Sequence, residues 1–197
     1  NRFSTDIENV MRHGRYLLPI IILLLISCRM QAQRFSVSTD LLGYAALGTI
    51  NADVSCSISR KVSLTAGVRY NPFTFRKGDP DRQFQYRQQS YSVGARWWPW
   101  HIWSGWWFAG KLRYQEYNTG GIISPETEEG DRFGAGLYAG YTYMLGPHFN
   151  IEFGVGAWAG ADRYRRYSCP VCGVTLDSGD RFFVLPDDIM LSLVYVF

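Results

Sequence analysis

The chain has 197 residues and a net charge of only +3, with 47% apolar, 16% aromatic and 19% charged residues. A single domain is the expectation at that length, and so small a charge, with no basic stripe carrying stacking aromatics, argues against a nucleic-acid partner. Thirteen Tyr, seven Trp and twenty Gly beside so few charges are unusual for a soluble enzyme and suit a membrane barrel, which needs interfacial aromatics and small lumen residues.

Residues 1–32 fit an export signal. After Met11 come Arg12 and Arg15, then the apolar run Tyr16 to Ile26, then a polar stretch ending Met30-Gln31-Ala32 before Gln33, a cleavage site of the expected kind. The run is shorter than the ~20 apolar residues of a membrane helix. The ten residues ahead of Met11 fit an over-extended start. Leu25-Ile26-Ser27-Cys28 also has the form of a lipobox, whose Cys would be cleaved and acylated. Simple removal is preferred because a barrel needs no lipid anchor, and the condition of Cys28 stays open.

No later segment is a helical span; even Trp97 to Phe108 is broken by Pro99, His101, Ser104 and Gly105. Any insertion must then use strands. From Phe35 onward side-chain character alternates in period two, the strand period. Eight runs follow: Phe35 to Leu42, Ile50 to Ser59, Val62 to Tyr70, Ser90 to Trp98, Trp106 to Gln115, Phe133 to Leu145, Phe149 to Ala161 and Asp188 to Phe197. Most approach the ~9 to 11 residues that a tilted strand needs to cross a bilayer.

One face of every run is uncharged, with Val54, Leu64 and Phe153 as typical members. The other is rich in Gly and Ser and holds Asp40, Asp53, Glu152 and Asp188 against Arg69, Arg96, Lys111 and Arg113. Alternation alone also fits a soluble barrel with the apolar face inward, but water-facing strands favour Lys, Glu and Thr. A narrow eight-stranded lumen favours small residues and paired ions, so these eight charges are expected as lumen salt bridges, with an ion path as the less favoured role. The links after runs two, four and six are short and most of the others long, the outer-membrane pattern of short periplasmic turns and long outer loops. Aromatic residues cluster near run ends, where headgroups would lie. The expected fold is all-β: an antiparallel, up-and-down, eight-stranded transmembrane barrel over residues 33–197, placed in the outer membrane, with its outer wall against lipid and lipopolysaccharide.

The last run resembles the closing strand of outer-membrane barrels, which typically ends in Phe after alternating apolar residues: Ile189, Leu191, Leu193, Tyr195 and Phe197 match throughout. The resemblance implies a recognition signal for the barrel-insertion machinery. More widely, Tyr70-Asn71-Pro72, Gly94-Ala95-Arg96-Trp97-Trp98, Gly120-Gly121-Ile122, Gly140-Tyr141, Leu145-Gly146, Gly154-Val155-Gly156 and Tyr167-Ser168-Cys169-Pro170-Val171-Cys172-Gly173 look like a domain-of-unknown-function family from Bacteroidales. That resemblance implies an outer-membrane barrel similar to the small OmpA-type and OmpX-type domains, often encoded beside fimbrial genes, with no established reaction.

Cys169 and Cys172 have the spacing of a metal knuckle, but four ligands are wanting: Cys28 lies in the signal, Cys56 on the apolar side of run two, and His101 and His148 at the opposite end. A loop disulfide is the favoured reading in an exported protein, with metal binding and free or redox-active thiols as alternatives. No cofactor is expected. Arg163-Tyr164-Arg165-Arg166-Tyr167 and residues 76–82 are expected in outer loops, either solvated or contacting anionic lipopolysaccharide or a protein partner. Catalysis has little support, because no motif stands behind the acids Glu116, Glu126, Glu128, Glu129 and Asp131. The expected work is non-enzymatic: surface interaction, adhesion or support of a fimbria-like assembly through loops 70–89, 115–132 and 160–185. A soluble or lipid-anchored barrel holding an apolar ligand is the runner-up, and an outer-leaflet lipid-modifying enzyme comes third.

Overall fold

The alternating runs become one closed sheet. A computed structural model describes residues 34–45, 47–75, 83–121, 126–168 and 174–197, except for the side chains of 187 and 188. The export signal with Cys28, the basic loop at 76–82, Cys169 and Cys172, and the side chain of Asp188 lie outside the described residues. The elements are β1 (Phe35–Asp40), helix α1 (Leu41–Ala45), β2 (Ile50–Ser57), β3 (Val62–Asn71), β4 (Thr74–Phe75), β5 (Phe84–Trp97), β6 (Gly105–Gly120), β7 (Thr127–Met144), β8 (Phe149–Tyr167) and β9 (Thr175–Val196). All pairings are antiparallel and run in chain order, β3 pairs with β5, and β9 returns to β1. An eight-stranded barrel results, with the two-residue β4 added to β5 at its rim.

A row of cross-strand neighbours followed once around, from Tyr195 through Val37, Val54, Ala66, Val93, Leu112, Ala135 and Ala159, comes back to Val184. Along β8 the two ends of that row are Phe149 and Ala159, a stagger that sets strands tilted by about 40° to the axis. β9 carries one extra residue between its partners for Val155 and Ala157, a bulge next to Pro186, which has no amide hydrogen to give to a ladder.

Burial fixes which face looks where. Val54, Leu64 and Phe153 are 52%, 49% and 53% exposed, while Arg96, Lys111 and Glu152 are 4%, 5% and 1% exposed. The greasy face is outside and the charged face inside, the inverse of a soluble barrel. On β7 the outward positions from Phe133 to Tyr143 carry no charge; eleven residues at about 3.3 Å each, tilted by about 40°, cover roughly 25 Å.

The lumen is fuller of aromatics than a Gly and Ser face suggests. Trp107, Tyr138 and Trp158 are buried there beside Met190, Val194 and Val196. Glycines make room for them: a Cβ at Gly156 would lie 2.1 Å from the Tyr138 ring and one at Gly140 2.4 Å from Trp107. The short turns close one end. Trp98 is wholly buried, its backbone amide bonds Lys61 O at 2.8 Å and its indole donates to Ser63 Oγ at 3.2 Å. Trp103 packs edge-on against it at 5.7 Å. Trp103 holds φ 64°, an uncommon conformation for so bulky a residue, and burial of its ring offsets that strain.

Two departures from the expected boundaries matter. β1 stops at Asp40, not Leu42, because Asp40 Oδ1 accepts the Leu42 amide at 3.2 Å and starts α1; Leu41, Leu42, Tyr44 and Leu47 are exposed there and continue the apolar surface where the strand gives out. At the same end β5 to β9 run far past the expected limits, 14 to 22 residues against 6 to 10 for β1 to β3. Most of what was expected as loop at 115–132 and 160–185 is therefore a raised sheet standing on one side of the barrel.

Candidate functional site

Inside the barrel, cations are stacked in storeys over rings. At the storey nearest the short turns, Arg96 on β5 reaches Glu152 on β8 at 2.7 Å, lies 4.6 Å from the Trp107 ring centre, and shares Glu152 with Thr142 Oγ1 at 3.1 Å. Above it Lys111 lies 3.8 Å from Asp53 and 5.0 Å from the Tyr138 ring, and Arg113 lies over Trp158 at 5.2 Å. In a medium of low dielectric Arg96 and Lys111 gain from a ring face as well as from a carboxylate, and Arg113 gains from a ring face. Arg69 is half-buried on the inner side of β3. Asp40 ties the first and last strands of the barrel together, since its Oδ1 also accepts the Leu191 amide at 3.1 Å, closing the β1 to β9 seam above their last paired residues.

A further storey, which the sequence analysis missed, caps the lumen at the raised sheet. Asp162 on β8 is 1% exposed and accepts from Tyr117 at 3.0 Å and from Arg181 Nε at 2.8 Å, with Arg132 Nε 3.3 Å away. Glu128 lies 2.9 Å from the same Tyr117 hydroxyl, whose one hydrogen serves Asp162 or Glu128 but not both at a time, accepts from Arg166 at 3.1 Å, and also pairs with Arg181. Arg132 lies over the Tyr117 ring at 3.8 Å and Arg181 over Tyr164 at 4.4 Å. Burial raises the Glu128 carboxyl, but the bonds from Arg181, Tyr117 and Arg166 outweigh it and hold the group below its ordinary range. Burial pushes the Tyr117 phenol up; Arg132 pulls against it and the bond to Glu128 adds to the rise.

The cluster Arg163 to Tyr167 is therefore not a loop. It lies on β8, where the strand period divides it: Arg163 and Arg165 face outward, while Tyr164 and Arg166 turn toward the capping network. Charge on both faces hides a strand from a search for hydrophobic period, yet opposite charges across the ladder hold it; Arg163 Nε donates to Asp180 Oδ1 at 3.0 Å on β9. The acidic cluster is divided in the same way, with Glu116, Glu129 and Asp131 outward and Glu128 inward. Among the described residues no three His, Cys, Asp or Glu side chains come together as a metal site. His101 sits in the short turn between β5 and β6, and His148 Nδ1 lies 2.9 Å from Val196 O at that same end.

Ile189, Leu191, Leu193 and Tyr195 fall on the outward face of β9, and Phe197, one residue past its end, is exposed in the same sense. Tyr195 meets Phe149 at 5.0 Å and Phe197 at 4.8 Å, both edge-on, in an aromatic group at the short-turn end. Cys56 is half-buried on β2 and free. No curated protein matches the sequence. The family model described as protein of unknown function DUF3575 matches residues 18–197, nearly the whole chain, and the protein belongs to that family.

Proposed function

We propose that this is a non-enzymatic outer-membrane barrel, exported, placed by the insertion machinery through Ile189, Leu191, Leu193, Tyr195 and Phe197, and working through its raised sheet and outer loops in surface interaction, adhesion or support of a fimbria-like assembly. One observation carries the reading: an uncharged outer wall around a charged, close-packed interior. Water penalises such a surface and hydrocarbon favours it. A barrel built to hold an apolar ligand would need Val54, Leu64 and Phe153 inside. The storeys from Trp98 to Arg181 fill the lumen, which argues for a scaffold over a pore.

Fractionation of the envelope, followed by gel migration with and without boiling, tests the reading. The account expects the protein in the outer-membrane fraction with a heat-dependent shift of the folded barrel. Recovery in the soluble periplasmic fraction would overturn it. Deletion of residues 122–125 or 169–173 should leave that shift intact and reduce surface assembly or adhesion if those segments carry the interaction.

A further inference from the structure

The outside of a barrel is convex, yet the outer face of the raised sheet is hollowed by a groove of about 490 Å³, within the roughly 300–1,000 Å³ of small-molecule sites. Its side chains come from two neighbouring cross-strand rows. In the lower one Tyr70, Gln89, Glu116, Asp131 and Arg163 are successive partners across five strands; in the upper one Arg87, Asn118, Glu129 and Arg165 are. Between the rows, Gln88 and Tyr117 send their side chains the other way, to Gln115 and Asp162.

Three guanidinium groups face three carboxylates, so the groove selects neither an anion nor a cation by charge. What it offers is a mixture of pure donors, pure acceptors and amides that do both, the complement of a polyol whose every hydroxyl gives and takes. One place in it calls for donors. Glu116 and Asp131 stand directly opposite each other on β6 and β7, where like charges repel. The Tyr114 hydroxyl oxygen lies between them, 3.0 Å from Glu116 Oε1 and 3.1 Å from Asp131 Oδ1, and its one hydrogen serves only one carboxylate at a time. Adjacent hydroxyls of a sugar would serve both. Tyr70, 48% exposed, supplies a flat ring at the end of the groove for the apolar face of a pyranose.

We propose that this groove holds the saccharide headgroup of an outer-leaflet glycolipid, an inference that rests on the outer-membrane reading above. Directly below the lower row lies the last apolar row, Val68, Tyr91, Tyr114 and Phe133. A lipid whose acyl chains lie along that wall delivers its sugar to the groove, which an unattached glycan has no such reason to find.

The test uses the purified protein in phosphatidylethanolamine nanodiscs and compares retention of rough lipopolysaccharide, phosphatidic acid and deacylated core oligosaccharide. The expected result is preference for lipopolysaccharide over both others, weakened about tenfold by Glu116→Gln with Asp131→Asn, as loss of charge-assisted bonds implies, and weakened again by the separate rim variant Arg87→Ala. Lys61→Ala in a short turn at the other end should change nothing. Equal retention of phosphatidic acid, equal binding of the deacylated sugar, or full binding by these variants while they keep the heat-dependent gel shift overturns the proposal. Failure of the wild-type gel shift itself instead removes the outer-membrane reading, and this inference with it.

Discussion

Arg96 and Glu152 stand on β5 and β8, on opposite walls of the barrel, and meet at 2.7 Å with both side chains almost wholly out of solvent. Nothing in their sequence spacing pairs them; closure of the sheet does. Removing one partner leaves a buried charge with its attraction gone, at a cost of about 3–5 kcal/mol. Glu152→Gln or Arg96→Ala should therefore lower the urea midpoint strongly. Arg96→Met with Glu152→Leu together should lower it much less than the sum of the single changes, and an additive double variant would contradict a lumen ion pair.

The glycines opposite large rings are a second point of leverage. Gly156→Ala drives a methyl group into the Tyr138 ring and should destabilise by about 1–3 kcal/mol, the usual cost of overpacking. Combined with Tyr138→Ala, the alanine at 156 should cost almost nothing. Equilibrium unfolding of the two single variants and the double one measures that coupling.

Acid should loosen the cap of the lumen before it loosens the wall. Glu128 is held below its ordinary value of 4.5 in the folded protein, so its bonds to Arg181, Tyr117 and Arg166 stabilise the cap fully above that value and are lost as pH falls through the lower folded one. Hydrogen exchange at residues 126–132 and 162–167 should rise below about pH 4.5 while β7 amides from 134 to 142 stay protected. Glu128→Gln should abolish that dependence; an unchanged profile in the variant would assign it to another group.

How much of this the residues disclosed depends on what surrounds each strand. Within the outer band every second side chain of β7 or β8 is apolar, so period two marked the strands and the sense of their faces. Beyond it Asp131, Arg132, Asp162 and Arg163 are charged on both faces of the same strands, and hydrophobic alternation vanishes although the ladder continues. Tyr117, Arg132, Asp162 and Arg181 were missed for that reason; following inward parity past Ala161 would have found Asp162. Trp107, Tyr138 and Trp158 escaped notice because their glycine neighbours lie on other strands, and only the register shows which ring enters which gap. The export segment and the Cys169–Cys172 pair stand where the sequence left them.

The last strand offers a kinetic prediction. The Phe197 amide bonds Phe35 O at 2.8 Å, but its ring faces outward and is 59% exposed, so the side chain adds little to the finished barrel. Phe197→Ala should reduce the fraction that reaches the heat-shifting folded form in cells and leave the unfolding midpoint of that fraction nearly unchanged. A lowered midpoint with normal assembly would make the residue structural and not a signal.

The orientation of the outer wall can be read directly from nitroxide labels at Leu137, which is 78% exposed, and at Val155, in vesicles of native envelope lipid. Collisions with dissolved oxygen, which concentrates in hydrocarbon, should far exceed collisions with a water-soluble nickel complex at both sites, and a label at exposed Lys61 in a short turn should show the opposite ratio. Dominant quenching by the nickel complex at Leu137 and Val155 would place that wall in water and contradict the account.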